Sequence, residues 1–223
     1  MNAADAKAPA SSWLHPVALL LFAVGGSGIV LWGVQTRERV VVNARAAERM
    51  PELSTLPEFS LVDQNGRKFS KKDMAGRTWI FDFVFTRCSG PCPLMAQRMA
   101  SLQKRLATSS SVRLATISVD PAHDTPERLA SYAKSVGAQP DRWIFFTGVE
   151  KEIFSLSKEG FKLGVEKNGP DVKGTETMPL LHSTRLILVD GQARVRGYYD
   201  ATEDAAVERL LADTVRVSAE GTP

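Results

Sequence analysis

Cysteine is nearly absent from this chain. There are two among 223 residues, Cys88 and Cys92. Two cysteines cannot build a disulfide scaffold, so they form one local pair, read as a redox couple or as two metal ligands. Histidine is almost as scarce, at three residues: His15, His123 and His182. No block of lysine or arginine stands out, and the net charge is only +3. That removes the electrostatic footprint of nucleic-acid binding. No internal repeat is visible. Apolar content of 43% and charged content of 24% exclude a disordered polar chain.

Charge is missing altogether from Pro16 to Val34, a run of nineteen residues. As a helix it rises about 28 Å, close to the thickness of a bilayer core. Gly25, Gly26 and Gly28 would weaken a soluble helix but are ordinary in membrane helices, and Trp13 and Trp32 stand where aromatic belts form. The run is long for a signal peptide, and no clear cleavage site follows it. The sequence therefore divides into a disordered amino terminus (1–15), a transmembrane anchor (16–34), a tether (35–56), a globular domain (57–215) and a short tail (216–223). Arg37, Arg39, Arg45 and Arg49 follow the span, which by charge alone favours the cytoplasm for the carboxyl side.

Inside the domain the pattern alternates. Asp63-Gln64-Asn65-Gly66 separates two short apolar runs, a hairpin signal. Trp79 to Phe85 is almost wholly apolar and reads as a central strand. Met95, Met99, Leu102 and Leu106 recur at helical spacing and read as a core-facing stripe rather than as copper ligands. Val112 to Val119 is a second strand. Thr125 caps a helix that Pro126 opens and Gly137 stops. Trp143 to Phe146 is a third strand, Lys151 to Phe161 a helix, and Gly164 to Pro179 a long polar loop. Asp190-Gly191-Gln192 joins a second hairpin. A last helix spans Asp200 to Thr214, with Asp200 and Glu203 spaced for a capping box. Strand–helix alternation predicts parallel pairing, and the final hairpin adds antiparallel strands: an α/β fold with a mixed sheet and helices on both faces.

The cysteines follow the first central strand, so they fall at the carboxyl edge of the sheet, where open α/β sheets place their sites. A helix amino terminus there favours thiolate. Thiolate serves disulfide exchange and metal binding equally. Pro93 disfavours helical geometry at Cys92, which predicts that both thiols sit on a loop with Pro93 opening the helix. Of the histidines, His15 borders the apolar run and His123 lies in an exposed helix-start loop. His182 immediately precedes the strand from Thr184, which the topology sets beside the strand leading to Cys88. It is the candidate third ligand. Two thiolates and an imidazole suit copper, and they also suit zinc with an open position. Asp82, six residues before Cys88, is either a proton relay for a thiol or a strand residue satisfied by its neighbours.

The segment Phe83-Val84-Phe85-Thr86-Arg87-Cys88-Ser89-Gly90-Pro91-Cys92-Pro93 resembles the Cys-x-x-x-Cys-Pro signature of the Sco/SenC family. Ser118-Val119-Asp120-Pro121, Asp124-Thr125-Pro126 and His182-Ser183-Thr184 match the family pattern in the same order. The resemblance implies a thioredoxin-like fold behind one membrane helix in the inner membrane, with the domain in the periplasm and against the arginine count. It implies one copper ion, Cu(I) or Cu(II), held by Cys88, Cys92 and His182. It also implies a copper donor, and a recipient: the copper-bearing subunit of cytochrome c oxidase or another cuproprotein. The polar loop before His182 should then gain order with metal. The competing reading is a thiol–disulfide oxidoreductase. Such proteins usually place a cis-proline just before the strand facing the cysteines; here His182-Ser183 holds that position and Pro179 lies earlier. A peroxidase of the same fold is a third reading, with no activating site to support it.

Overall fold

The computed structural model describes residues 49–106, 111–163 and 183–220. In chain order the strands are β1 (Ser54–Thr55), β2 (Ser60–Asp63), β3 (Lys68–Ser70), β4 (Thr78–Val84), β5 (Val112–Ser118), β6 (Trp143–Gly148), β7 (Arg185–Val189) and β8 (Arg194–Asp200). The helices are α1 (Cys92–Arg105), α2 (Pro126–Ser135), α3 (Glu150–Ser155) and α4 (Asp204–Glu220), with a 3₁₀ turn at Lys71–Met74 and a π turn at Leu156–Gly160. All eight strands share one sheet, in the order β1-β8-β7-β4-β5-β6-β2-β3. β4, β5 and β6 run parallel, and every other pairing is antiparallel. The expected mixed sheet is therefore present.

β4 is buried along its whole length, as a central strand flanked on both faces must be. Its side chains alternate between two cores. Ile80 and Val84 join Met95, Met99 and Leu102 of α1, Leu129 and Ala133 of α2, and Val207 and Leu210 of α4. Trp79, Phe81 and Phe83 join the other face, under Leu61, Phe69, Ile153 and Phe161. The methionine stripe is core: Met95 and Met99 are almost wholly inaccessible. Each such side chain contributes about 1.5–3 kcal/mol by leaving water.

Both hairpin turns use an aspartate as scaffold. Asp63 Oδ1 accepts from the amides of Asn65 and Arg67. Asp190 Oδ1 accepts from those of Gln192 and Arg194 in the same way. Gly66 takes the left-handed conformation in the first turn, at φ 78°, whereas Ala193 takes it in the second, at φ 59°. Gly191 is required for another reason: a Cβ there would lie 3.0 Å from the amide nitrogen of Gly76.

The structure redraws several boundaries. β1 lies within the stretch read as tether and pairs with β8. The helix expected over 151–161 is α-helical only to Ser155 and then widens into the π turn. Gly160, its last residue, has no room for a side chain, since Leu56 and Pro57 pack where its Cβ would stand. The last helix starts at Asp204, not Asp200, and runs on through 216–220, read as tail. Asp200 makes no capping box; its carboxylate accepts from the amide and hydroxyl of Thr202 instead. The longer helix has a physical reason. Glu220 accepts from the Met50 amide at 2.9 Å and from Arg196 Nη2 at 2.5 Å. Arg196 is 2% exposed and also donates to Asp190 and to the carbonyls of Met50 and Pro51. A buried guanidinium is tolerated only with such partners, and this one ties residues 50–51 to the end of α4.

The apolar run at 16–34, the polar loop at 164–179, and His15 and His182 lie outside the described residues. Among the described residues, no helix is long and apolar enough to cross a membrane.

Candidate metal centre

β4 ends at Val84 and β5 at Ser118, on the same sheet edge. β7 begins at that edge too, because its antiparallel register sets Ile187 opposite Phe81 and Val189 opposite Trp79. Ser183, the first described residue after His182, leads into β7 there.

Between β4 and α1 the chain makes a tight turn, with the Cys88 amide donating to the Phe85 carbonyl at 3.2 Å. Cys88 is half-buried and Cys92 is buried; both are free thiols. The Cys92 thiol lies close enough to that of Cys88 for the two to interact. Gly90 leaves room beside Cys88: a Cβ there would come within 3.8 Å of its Sγ.

Cys92 is not on the loop. It is the first residue of α1, with Pro91 already in helical geometry before it and Pro93 after it. Proline is tolerated in the first turn because its missing N–H would have had no partner there. The Met95 amide closes the turn on the Pro91 carbonyl at 3.1 Å. The expected thiolate preference fails at Cys92 as well. Burial pushes its pKa up, and so do the hydrogen bond and charge of Cys88 and the charge of Asp82. A hydrogen bond from the Phe85 backbone opposes this. Burial in the core it shares with Val84, Met95 and Ala96 therefore outweighs the helix terminus.

Asp82 lies on the α1 face of β4, between Ile80 and Val84. It is 1% exposed. Its neighbour across the β4–β5 ladder is Thr116, whose hydroxyl donates to Asp82 Oδ1 at 2.6 Å. That hydroxyl in turn accepts from Trp143 Nε1 at 2.8 Å. Oδ2 has no hydrogen-bond partner among the described residues. Burial pushes the Asp82 pKa up to about 7, against the opposing Thr116 bond. Tyr132 of α2 is pushed up to about 12, first by burial and then by the charges of Asp82, Cys92, Cys88 and Asp124. Asp82, Tyr132 and the thiols thus form one electrostatic group.

The third element of the site is the loop between β5 and α2. Asp124 is fully buried. It accepts from the Thr86 amide at 3.0 Å, the Thr86 hydroxyl at 2.5 Å and the Ser118 hydroxyl at 2.5 Å. Arg87 pairs with Asp120 at 2.7 Å. Thr125 caps α2 as expected. His123 is half-buried and meets Arg128 as a polar loop residue. Thr116, Trp143 and Tyr132 were not singled out from sequence. Only Thr116 left a signal there, a hydroxyl on the inward phase of an apolar strand.

Among the described residues no three His, Cys, Asp or Glu side chains converge on one point. The thiol pair supplies two soft donors at one place, a donor set that fits copper.

A mixed sheet whose central parallel strand delivers two cysteines to the first turn of a helix defines a thioredoxin-like α/β protein with a dithiol site. The SCO1/SenC family profile matches residues 47–218, so the chain belongs to the Sco family. It is 31% identical to the SCO1 protein homolog of Bacillus subtilis over 163 residues, 72% of this chain and 81% of that one. Among solved structures it matches BsSco, a member of the Sco family of cytochrome c oxidase assembly proteins in which a disulfide switch was identified. That match has TM-score 0.65 and 29% identity, and covers 77% of this chain and 98% of the other. It also matches Arabidopsis thaliana ScoI with copper bound, at TM-score 0.59 and 25% identity, covering 73% and 99%.

Proposed function

We propose that this chain is a membrane-anchored copper chaperone. In this reading residues 16–34 hold it in the inner membrane with the domain in the periplasm. Cys88, Cys92 and His182 hold one copper ion as cargo, received from a donor protein. The ion then passes by ligand exchange to the dinuclear copper centre of cytochrome c oxidase or of a similar cuproprotein. The observation that carries the reading is the contact between two thiols at a sheet edge, in a chain of the Sco family. Copper would displace the thiol protons, and the charge of the ion would offset the desolvation that keeps Cys92 protonated.

Titrating copper into the reduced full chain tests this. One ion per chain is expected. His182→Ala should weaken binding by more than the roughly 10–100-fold typical of losing an outer-shell partner. No binding by the wild type, or equal binding by His182→Ala, would sink the ligand set. Topology is tested apart from metal. Alkaline phosphatase fused to the carboxyl terminus should be active in cells, and a silent fusion with an active cytoplasmic reporter would reverse the orientation.

The neighbourhood of Asp82 favours a second reading, a thiol–disulfide oxidoreductase that reduces the cysteines of the target site. Cys88 thiolate attacks the target disulfide and releases one target thiolate. Cys92, losing its proton to Asp82, then attacks the Cys88 sulfur and releases the second. The target leaves reduced, and the Cys88–Cys92 pair is left as a disulfide. In this role His182→Ala keeps most of the exchange activity, whereas loss of either cysteine abolishes it.

A further inference from the structure

The turn that carries Cys88 has little of its own to hold it. Cys88 is four residues beyond the end of β4, and α1 does not begin until Cys92. Ser89 and Gly90 are exposed. The turn is fixed instead from the neighbouring loop. Asp124 receives both donors of Thr86, two residues before Cys88. Its third bond, from the Ser118 hydroxyl, fastens the carboxylate to the end of β5. The Asp124 amide donates to the Asp120 carbonyl at 2.8 Å, and the Ser118 hydroxyl accepts from the Asp120 amide at 3.1 Å. The Val119 amide donates to the Val84 carbonyl at 2.9 Å, which continues the β4–β5 ladder up to the turn.

We propose that Asp124, acting through Thr86, is the positioning residue for Cys88: it sets where that sulfur stands relative to Cys92 and so its fitness to share a metal or a disulfide. The inference rests on the dithiol reading above. A buried carboxylate with three donors is a more rigid support than an amide, because an aspartate can only accept. Asparagine keeps the shape but offers one acceptor oxygen, and turns an NH₂ group toward groups that themselves donate. Outer-shell partners of this kind commonly affect metal affinity about 10–100-fold. Asp124 reaches the sulfur only through the backbone of residues 86–88, so its effect should fall on Cys88 and spare Cys92.

The test uses the full reduced chain and four variants: Asp124→Asn, Thr86→Val, Thr86→Ser and Ser118→Ala. Three quantities are measured. These are copper affinity, the equilibrium between dithiol and Cys88–Cys92 disulfide in a dithiothreitol redox buffer, and the melting temperature. Asp124→Asn and Thr86→Val should each weaken copper at least about tenfold and shift the disulfide equilibrium in the absence of metal. Thr86→Ser, which restores the hydroxyl, should return both to wild-type values. If Asp124→Asn fails to fold, the Thr86 pair still decides the matter, since valine and threonine have nearly the same shape. Equal copper affinity and equal disulfide equilibrium for Thr86→Val and Thr86→Ser would overturn the proposal. So would losses that track melting temperature alone across all four variants. Absence of copper binding by the wild type would defeat the chaperone reading, while the disulfide equilibrium would still test the role of Asp124.

Discussion

In the reduced, metal-free protein, iodoacetamide should label Cys88 at least about a hundredfold faster than Cys92 at pH 7, each measured in a chain whose other cysteine is serine. Two causes multiply. Cys88 is half-exposed on an open turn beside Gly90, whereas Cys92 is 6% exposed in the core below it. Burial also pushes the Cys92 pKa up, and each unit of rise removes about nine-tenths of the reactive thiolate. The thiols are therefore not equivalent: in the proposed function Cys88 would meet an incoming disulfide or copper donor first, and Cys92 would close the site. Both Cys88→Ser and Cys92→Ser should lose copper binding, since one sulfur cannot replace two. Equal labelling rates, or faster labelling of Cys92, would contradict this order. Mass spectrometry of the labelled chains reads it directly.

The second large effect concerns Asp82 and pH. Its folded pKa of about 7 lies well above the ordinary value of 3.8. Between those values the folded chain holds a proton that the unfolded chain has lost, so stability must fall as pH rises from about 4 to about 7. Above 7 both states are ionised and the whole cost of the buried charge is present, about 4 kcal/mol at 1.36 kcal/mol per unit. Below 4 both are protonated and the cost vanishes. Asp63, Asp73 and Glu220 have pKa values lowered in the folded chain, so they work in the opposite direction, losing stability as pH falls. Comparing two variants cancels them. Urea denaturation of the reduced, metal-free wild type and of Asp82→Asn should give curves that diverge between pH 4 and 8, with the variant gaining relative stability as pH rises. Parallel curves would show that Asp82 does not titrate in this interval. Maintaining so costly a group between Ile80 and Val84 is consistent with the proton-relay role assigned to it above.

Residues whose meaning depends on near neighbours were legible without a structure. The almost unbroken apolar run from Trp79 to Phe85 identified a central strand, and the methionine spacing identified the buried face of α1. Thr125-Pro126 fixed the start of α2, and Asn65-Gly66 the first hairpin turn. Strand–helix alternation then determined that Cys88 and Cys92 reach the carboxyl edge of the sheet, because parallel strands joined by helices all end on the same side. The short motifs, taken together, also carried the family.

What remained was decided by partners far away in the chain. Pro93 argued against a helix at Cys92, yet the first turn of α1 needs no hydrogen bond there and accommodates it. The dipole of α1 argued for thiolate, and the burial of that sulfur in the core reversed it. The surroundings of Asp82 came from Thr116, 34 residues on, which bonds one oxygen, while the other has no partner among the described residues. Asp124 read as the approach to a capped helix and as part of a family motif, and the tertiary structure made it the support of Thr86. Local propensity and spacing are written into consecutive residues, so the sequence by itself determined the dithiol, its edge and its fold. Burial and hydrogen bonding join residues tens of positions apart, so only the tertiary structure decided that Cys88 is half-open, Cys92 is closed and Asp82 is buried with one oxygen bonded to Thr116.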